Sequence, residues 1–167
     1  YGNVMGSRGS VIPFFITQRD IGMIPITDDR MTRFVITLEE GVKLVWKAFG
    51  DMEGGETYVK KIPSMAIPDI ATAISETAKQ KTIGIRPGEK IHEQMIGLED
   101  APHTYEYDDH YKILPAIYNW SSDPKRNKGG TKVDENFTYS SGSNKEWMSI
   151  NDLQQWIDAN SMQIGKI

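Results

Sequence analysis

Over its first hundred residues the chain alternates short apolar stretches of strand character with stretches of helical spacing, and no other feature limits the fold as much. Tyr1 to Val4 reads as the end of a strand running into the small-residue loop Gly6-Ser7-Arg8-Gly9-Ser10. Pro13 sits where a helix can begin, because its missing N–H has no helical partner there in any case. That helix runs through Phe14, Phe15 and Thr17, and Gly22 stops it. Strand character returns at 24–27 and 31–36. Thr37-Leu38-Glu39-Glu40 then has the spacing of a capping box, and Val42, Val45 and Phe49 follow at helical intervals. Beyond the Gly54-Gly55 turn, the pattern predicts a strand at 56–62, a helix over 68–79, a strand at 82–85 and a helix over 89–96. Strand and helix in alternation point to an α/β architecture.

The alternation stops near residue 100, so the expected division is 1–100, an α/β region, and 101–167, a C-terminal extension. The extension opens with Tyr105, Tyr107, Asp108, Asp109 and Tyr111, passes through the polar stretch 121–136, and ends in an amphipathic helix. Ser149-Ile150-Asn151-Asp152 caps that helix, and Leu153, Trp156 and Ile157 share one of its faces. The first residue is Tyr1, with no initiator Met and no polar lead-in, so a piece of a longer protein is expected.

Charge removes one class of partner. With 19 Lys+Arg against 23 Asp+Glu the formal net charge is -4, which makes nucleic acid a poor fit. A bound phosphate would have to be held by a few placed arginines and backbone N–H groups. The absence of cysteine excludes disulfides, thiolate metal sites and cysteine catalysis, and fits a reducing cytosol. No apolar run reaches the roughly 18–20 residues that cross a bilayer, and no basic-then-apolar leader is present.

Four groups of residues could carry chemistry, each with a plainer reading beside it. Arg86-Pro87-Gly88-Glu89 is expected to join a strand to a helix and to place one arginine and one carboxylate at the same mouth. A guanidinium fits a diphosphate, a carboxylate accepts from vicinal ribose hydroxyls, and a helix N-terminus adds positive potential. The plainer reading is a surface turn with a favourable first-turn acid. The loop Gly6 to Ser10 is either a backbone cradle for an anion or simply a turn. Arg33, set in an apolar strand, needs an acceptor: a ligand phosphate, or Asp28 or Asp29. Asp108-Asp109-His110 reads as an exposed acidic edge rather than a metal site, since no further ligand lies at a suitable spacing.

Two signatures are missing. No glycine fingerprint for a dinucleotide follows any strand, and no Tyr-x-x-x-Lys occurs, because Ile62 stands four places after Tyr58. The chain by itself is therefore expected to bind rather than to catalyse.

Tyr1-Gly-Asn-Val-Met-Gly-Ser-Arg-Gly-Ser-Val-Ile-Pro-Phe-Phe15 resembles the start of the C-terminal substrate-binding part of extended short-chain dehydrogenase/reductases (NAD(P)-Rossmann-type) that act on nucleotide sugars. The resemblance continues through Pro25-Ile-Thr-Asp28, Met31-Thr-Arg-Phe34, Lys61-Ile-Pro-Ser-Met65, Ile85-Arg-Pro-Gly-Glu-Lys-Ile-His-Glu93, Tyr139-Ser-Ser141 and Asn144-Lys-Glu-Trp-Met-Ser149. Within that superfamily the chain looks most like the inverting UDP-N-acetylglucosamine 4,6-dehydratases of pseudaminic acid biosynthesis. Ala66 departs from the family, which has a basic or polar residue there, and reads as a surface change.

The resemblance implies an α/β fold whose N-terminal dinucleotide-binding half is absent from this chain. It implies UDP-N-acetylglucosamine or a related UDP-sugar as substrate, NADP bound mainly by the missing half, a cytoplasmic location and a homo-oligomer when full length. The intact enzyme would oxidise C4, eliminate water across C5–C6 and return hydride to C6 with inversion at C5. No catalytic residue falls in this chain. Asn3 matches the asparagine that faces the sugar diphosphate; Gly9, Ser10 and Val11 would lie along the nucleotide. Arg33 and Arg86 would hold phosphates, Glu89 the ribose, and Tyr1 and Gly2 would approach the nicotinamide. A related capsule or lipopolysaccharide dehydratase/epimerase, or a non-catalytic nucleotide-sugar-binding module, are the rival readings.

Overall fold

A computed structural model describes residues 2–116 and 123–166. Along the chain run β1 (Asn3–Val4), α1 (Val11–Arg19), β2 (Met23–Ile26), β3 (Thr32–Ile36), α2 (Leu38–Asp51), β4 (Thr57–Lys60), β5 (Ser64–Ala66) and α3 (Ile67–Ile74). They are followed by β6 (Lys79–Thr82), β7 (Gln94–Ile96), β8 (Thr104–Glu106), β9 (His110–Ile113), α4 (Pro124–Asn127), β10 (Thr131–Lys132), β11 (Tyr139–Ser140) and α5 (Ile150–Asn160).

These elements form two compact units, and neither is a continuous piece of chain. One gathers 2–37, 62–93 and 141–166; the other gathers 38–61, 94–116 and 123–140. Residue 100 thus lies inside the second unit rather than between the two. The alternation of strand and helix marks local structure, whereas the grouping follows which distant segments bury apolar surface together.

The first unit is the α/β one. β1 pairs with β3 in parallel and β5 joins β3 antiparallel, while β2 and β6 form a separate parallel pair. Its core is drawn from α1, β2, β3, β5 and α3: Ile12 and Phe15 of α1, Ile24 and Ile26 of β2, Val35 of β3, Met65 of β5, Ile70 and Ala71 of α3. Each buried Ile, Val or Phe side chain among them contributes about 1.5–3 kcal/mol by leaving water. Leu153 adds α5 to that core, and Trp156 and Ile157 pack beside it as their spacing predicts. The cap is as expected: Ser149 Oγ accepts from Asp152 N at 3.1 Å, and Asp152 accepts from Ser149 N at 3.2 Å. Ala66 is half-buried at the end of β5, paired with Thr32, so it is not a plain surface position.

In the second unit an antiparallel sheet runs β10-β8-β9-β4, and β11 pairs with β7. Strand β9 is buried on both faces, and its period-two alternation separates two chemistries. Tyr111 packs against Phe137 and Tyr139, with ring centroids 5.1 and 5.2 Å away. His110 and Lys112 point the other way. Helix α2 begins at Leu38, directly after Thr37, but its apolar stripe is not its buried face. Leu44 is buried, whereas Val42 is 46% and Phe49 67% exposed. Periodicity locates a stripe on a helix; it does not say what covers it.

Candidate functional site

An open cleft of about 680 Å³ lies within the α/β unit. Asn3, Gly9, Ser10, Val11, Arg33, Arg86 and Glu89, the seven residues expected to meet a ligand, all line it. They come from three distant segments, joined by β1 and β3 lying side by side and by the turn after β6. Phe14, Pro25 and Ile83 give it apolar walls. Gly2 does not line this cleft, and Tyr1 lies outside the described residues.

One rim is the loop between β1 and α1. Ser7 N donates to Val4 O at 3.2 Å and Ser10 N to Ser7 O at 3.1 Å, folding 4–10 into successive turns. Gly6 has φ +73, and a Cβ there would stand 2.8 Å from the Trp156 ring, so only glycine fits. The loop delivers the chain to the N-terminus of α1. Pro13 removes one first-turn donor, leaving the N–H groups of Val11 and Ile12 without partners inside the helix. Ser10, the N-cap residue, would ordinarily turn its hydroxyl onto those donors. Here Ser10 Oγ is buried and makes no hydrogen bond among the described residues. An unsatisfied hydroxyl beside free helix N–H groups is suited to an anion.

Arg86 to Glu89 form a tight turn: Glu89 N donates to Arg86 O at 3.1 Å, and Arg86 N donates to Glu89 Oε2 at 3.1 Å. Pro87 and Gly88 occupy its corners, with Gly88 at φ +86, as a type II turn requires. The helix expected over 89–96 is absent; residues 94–96 are strand β7. The cause is lateral bonding. Ile91 O accepts from Thr32 N at 3.0 Å, Glu93 N donates to Ser141 Oγ at 2.9 Å, and Ser141 N donates to Glu93 O at 2.8 Å. Those groups are spent on other segments and cannot close helical turns. The helix N-terminus at this cleft is therefore that of α1, not one following Gly88.

The cationic groups differ in how they are held. Neither Arg8 nor Arg86 has a side-chain hydrogen bond or ion pair among the described residues, so both guanidinium groups are available to a ligand. Arg33 is fixed instead: its Nη1 donates to Thr32 O at 2.7 Å and to Ile91 O at 3.1 Å, and its Nε lies 3.8 Å from Glu93. The alternative partners are taken, Asp28 by Arg30 at 2.9 Å and Asp29 by Thr82 at 2.9 Å.

Glu93 was not among the expected site residues. Its carboxylate accepts from Asn3 Nδ2 at 2.9 and 3.0 Å and from Phe34 N at 2.9 Å. The contacts cross 90 and 59 residues of sequence, and no spacing rule reaches that far.

The second unit holds a cluster of a different kind. His110 is 4% exposed, so the expected exposed edge at 108–110 holds for Asp108 and Asp109 but not for His110. Its ring stacks on Tyr107 at 4.6 Å and on Tyr58 at 5.8 Å, and Nδ1 lies 2.9 Å from Asp109. The adjoining depression is lined by cations already paired: Lys47 with Asp109 at 2.5 Å, Lys61 with Glu106 at 2.8 Å, Lys128 with Asp51 at 3.0 Å. With its charges mutually satisfied it offers a ligand less than the arginine-lined cleft. Burial lowers the His110 pKa against the opposing pull of Asp109. A depressed pKa means stability that is complete above the unfolded value, about 6.5, and lost as pH falls through the folded one. Replacing His110 by Phe, which keeps the stack, should flatten the pH dependence of urea unfolding below about pH 6.5.

Comparison with known proteins places this arrangement. Residues 1–115 match the family model described as "Polysaccharide biosynthesis protein". Two proteins of Campylobacter jejuni called UDP-N-acetylglucosamine 4,6-dehydratase (inverting) are similar. That of serotype O:2 is 47% identical over 165 residues, covering 95% of this chain and 49% of the relative. That of serotype O:23/36 is 48% identical over 160 residues, covering 92% and 48%. A UDP-glucose 4-epimerase of Rickettsia canadensis is 41% identical over 118 residues, covering 68% and 35%. The X-ray structure of Pen from Bacillus thuringiensis superposes with TM-score 0.79 at 28% identity, over 97% of this chain and 48% of that one. The chain spans about half the length of the dehydratases it matches. With an α/β unit, parallel strand pairs and a cleft open at a helix N-terminus, this chain belongs to the polysaccharide biosynthesis protein family.

Proposed function

We propose that this chain is the substrate-binding half of a UDP-N-acetylglucosamine 4,6-dehydratase that inverts C5, working in bacterial surface-sugar synthesis. The observation that carries the reading is the cleft itself: Arg8 and Arg86, whose side chains have no partner among the described residues, beside the N-terminus of α1 and the Ser10 hydroxyl that no described residue engages. That combination suits a diphosphate, since fixed donors on several sides replace its hydration without needing a basic chain. Arg33 and Arg86 hold phosphates, Gly9, Ser10 and Val11 line the nucleotide, and Glu89 faces the ribose hydroxyls. The apolar walls suit the face of a base. Asn3 faces the sugar diphosphate.

The described residues do not fit a dinucleotide site of their own, since the loop after β1, Gly6-Ser7-Arg8-Gly9-Ser10, lacks the Gly-x-Gly-x-x-Gly spacing and no other strand is followed by it. NADP, which would carry the hydride, is therefore bound mainly by sequence outside this chain, with Tyr1 and Gly2 near its nicotinamide. The catalytic groups lie outside this chain as well, and the 167 residues alone should show no turnover. The intact protein is read as cytoplasmic and homo-oligomeric. No helix among the described residues is long and apolar enough to cross a membrane.

The epimerase relative supports a second reading, a nucleotide-sugar enzyme with another outcome at C4 or C5. One experiment separates them. The intact protein, given UDP-N-acetylglucosamine in deuterium oxide, should yield a 4-keto-6-deoxy sugar by NMR, with deuterium and inverted ring couplings at C5. A C4 epimer as product, or no 4-keto-6-deoxy sugar, sinks the assignment.

A further inference from the structure

We infer that Glu93 is a positioning residue that orients the Asn3 amide, so that Asn3 offers the ligand an acceptor oxygen and takes a hydroxyl or amide N–H of the sugar rather than a phosphate oxygen. The inference rests on the reading of the cleft as a UDP-sugar site and gives the polarity of one of its contacts.

Asn3 has two amide protons and one carbonyl oxygen to distribute. Its Nδ2 donates to Phe34 O at 3.2 Å and to the Glu93 carboxylate at 2.9 and 3.0 Å. Both protons are thereby used. Exchanging the amide O and N would set Oδ1 against a carbonyl and a carboxylate, acceptor against acceptor, so the orientation follows from its neighbours. Oδ1 is the polar atom of this side chain that no described residue engages, on a residue that lines the cleft. An acceptor cannot bond a phosphate oxygen, and the Glu93 charge behind it would repel one. A ligand hydroxyl or N–H is the complementary group.

Glu93 is itself fixed from several sides. Its carboxylate accepts from Phe34 N at 2.9 Å, its backbone N–H donates to Ser141 Oγ at 2.9 Å, and Arg33 Nε lies 3.8 Å away. One carboxylate thus joins β1, β3 and the segment after the Arg86 turn. Gln at 93 would keep an acceptor for Phe34 N while presenting an N–H where Asn3 now finds an oxygen, loosening the amide without stranding the backbone donor.

The test measures binding of UDP and of UDP-N-acetylglucosamine to the intact protein by calorimetry, for the unaltered protein, Asn3→Ala, Glu93→Gln and the double variant. Urea unfolding of each variant confirms the fold. Each single change should weaken UDP-N-acetylglucosamine binding about tenfold, and the double change also about tenfold, because Glu93 acts through Asn3. The loss should be confined to the UDP-sugar. An equal loss for UDP would overturn the assignment by showing that Asn3 meets a phosphate. Losses that multiply to about a hundredfold in the double variant would overturn the coupling. If the unaltered protein binds neither ligand, the reading of the cleft itself fails, and this assignment with it.

Discussion

Replacing Lys112 by methionine is expected to destabilise the protein by about 2 kcal/mol, seen as a lower urea midpoint, because it removes the buried partner of a partly exposed carboxylate. Lys112 is 1% exposed in the middle of β9. Its ammonium donates to Asp51 and, at 3.1 Å, to Arg126 O, and lies 5.2 Å from the ring centroids of both Tyr58 and Tyr107. Burial alone would push the Asp51 carboxyl up. Hydrogen bonds from Lys112, Tyr58 and Lys128 outweigh that and hold it well below the usual carboxylate range. Methionine fills the space of the lysine stem but leaves Asp51 short of its buried partner. Lys128, at 3.0 Å, and Tyr58 remain, and the Asp51 side chain is partly open to water, which keeps the expected cost below that of a fully buried pair. An unchanged midpoint would mean that solvent already screens the pair. Since the depressed carboxyl contributes above its unfolded pKa, the penalty should shrink as pH falls below about 4.

The second large effect concerns binding and leaves stability alone. Arg86→Ala should weaken UDP binding to the intact protein by about 2 kcal/mol, roughly thirtyfold in Kd. Because the guanidinium is exposed and has no partner within the described protein, its removal should leave the unfolding midpoint where it was. A loss of affinity without a loss of stability identifies a ligand contact. Unchanged affinity by calorimetry would remove Arg86 from the site.

The parts of the fold legible in the sequence are those set by neighbours within a few residues. Ser149 and Asp152 announce α5 because a capping box is closed by groups three positions apart. Pro87 and Gly88 announce their turn because its dihedral angles are properties of those residues. The helix expected over 89–96 failed because Ile91, Glu93 and Ser141 exchange bonds across the chain, and nothing local reports that. Lys112 looks like a surface lysine in sequence; Asp51, its partner, lies 61 residues away. For the cleft, Gly9, Ser10, Arg33, Arg86 and Glu89 were readable as residue types suited to a nucleotide, and strand pairing brings them to one place. Glu93 was not, since its importance lies in what it holds.

The interleaving of the two units sets a timetable for synthesis. Thr32 Oγ1 and Ser141 Oγ meet at 2.7 Å across 109 residues, and Ser141 also receives the Glu93 N–H. On the ribosome, β3 is therefore made long before the residue that completes its hydrogen-bonded surroundings. At roughly 5–20 residues per second the wait is about 5–20 seconds. During that interval Thr32 and Glu93 lack the Ser141 hydroxyl, and the core lacks Leu153 of α5, so the surroundings of β3 are completed late.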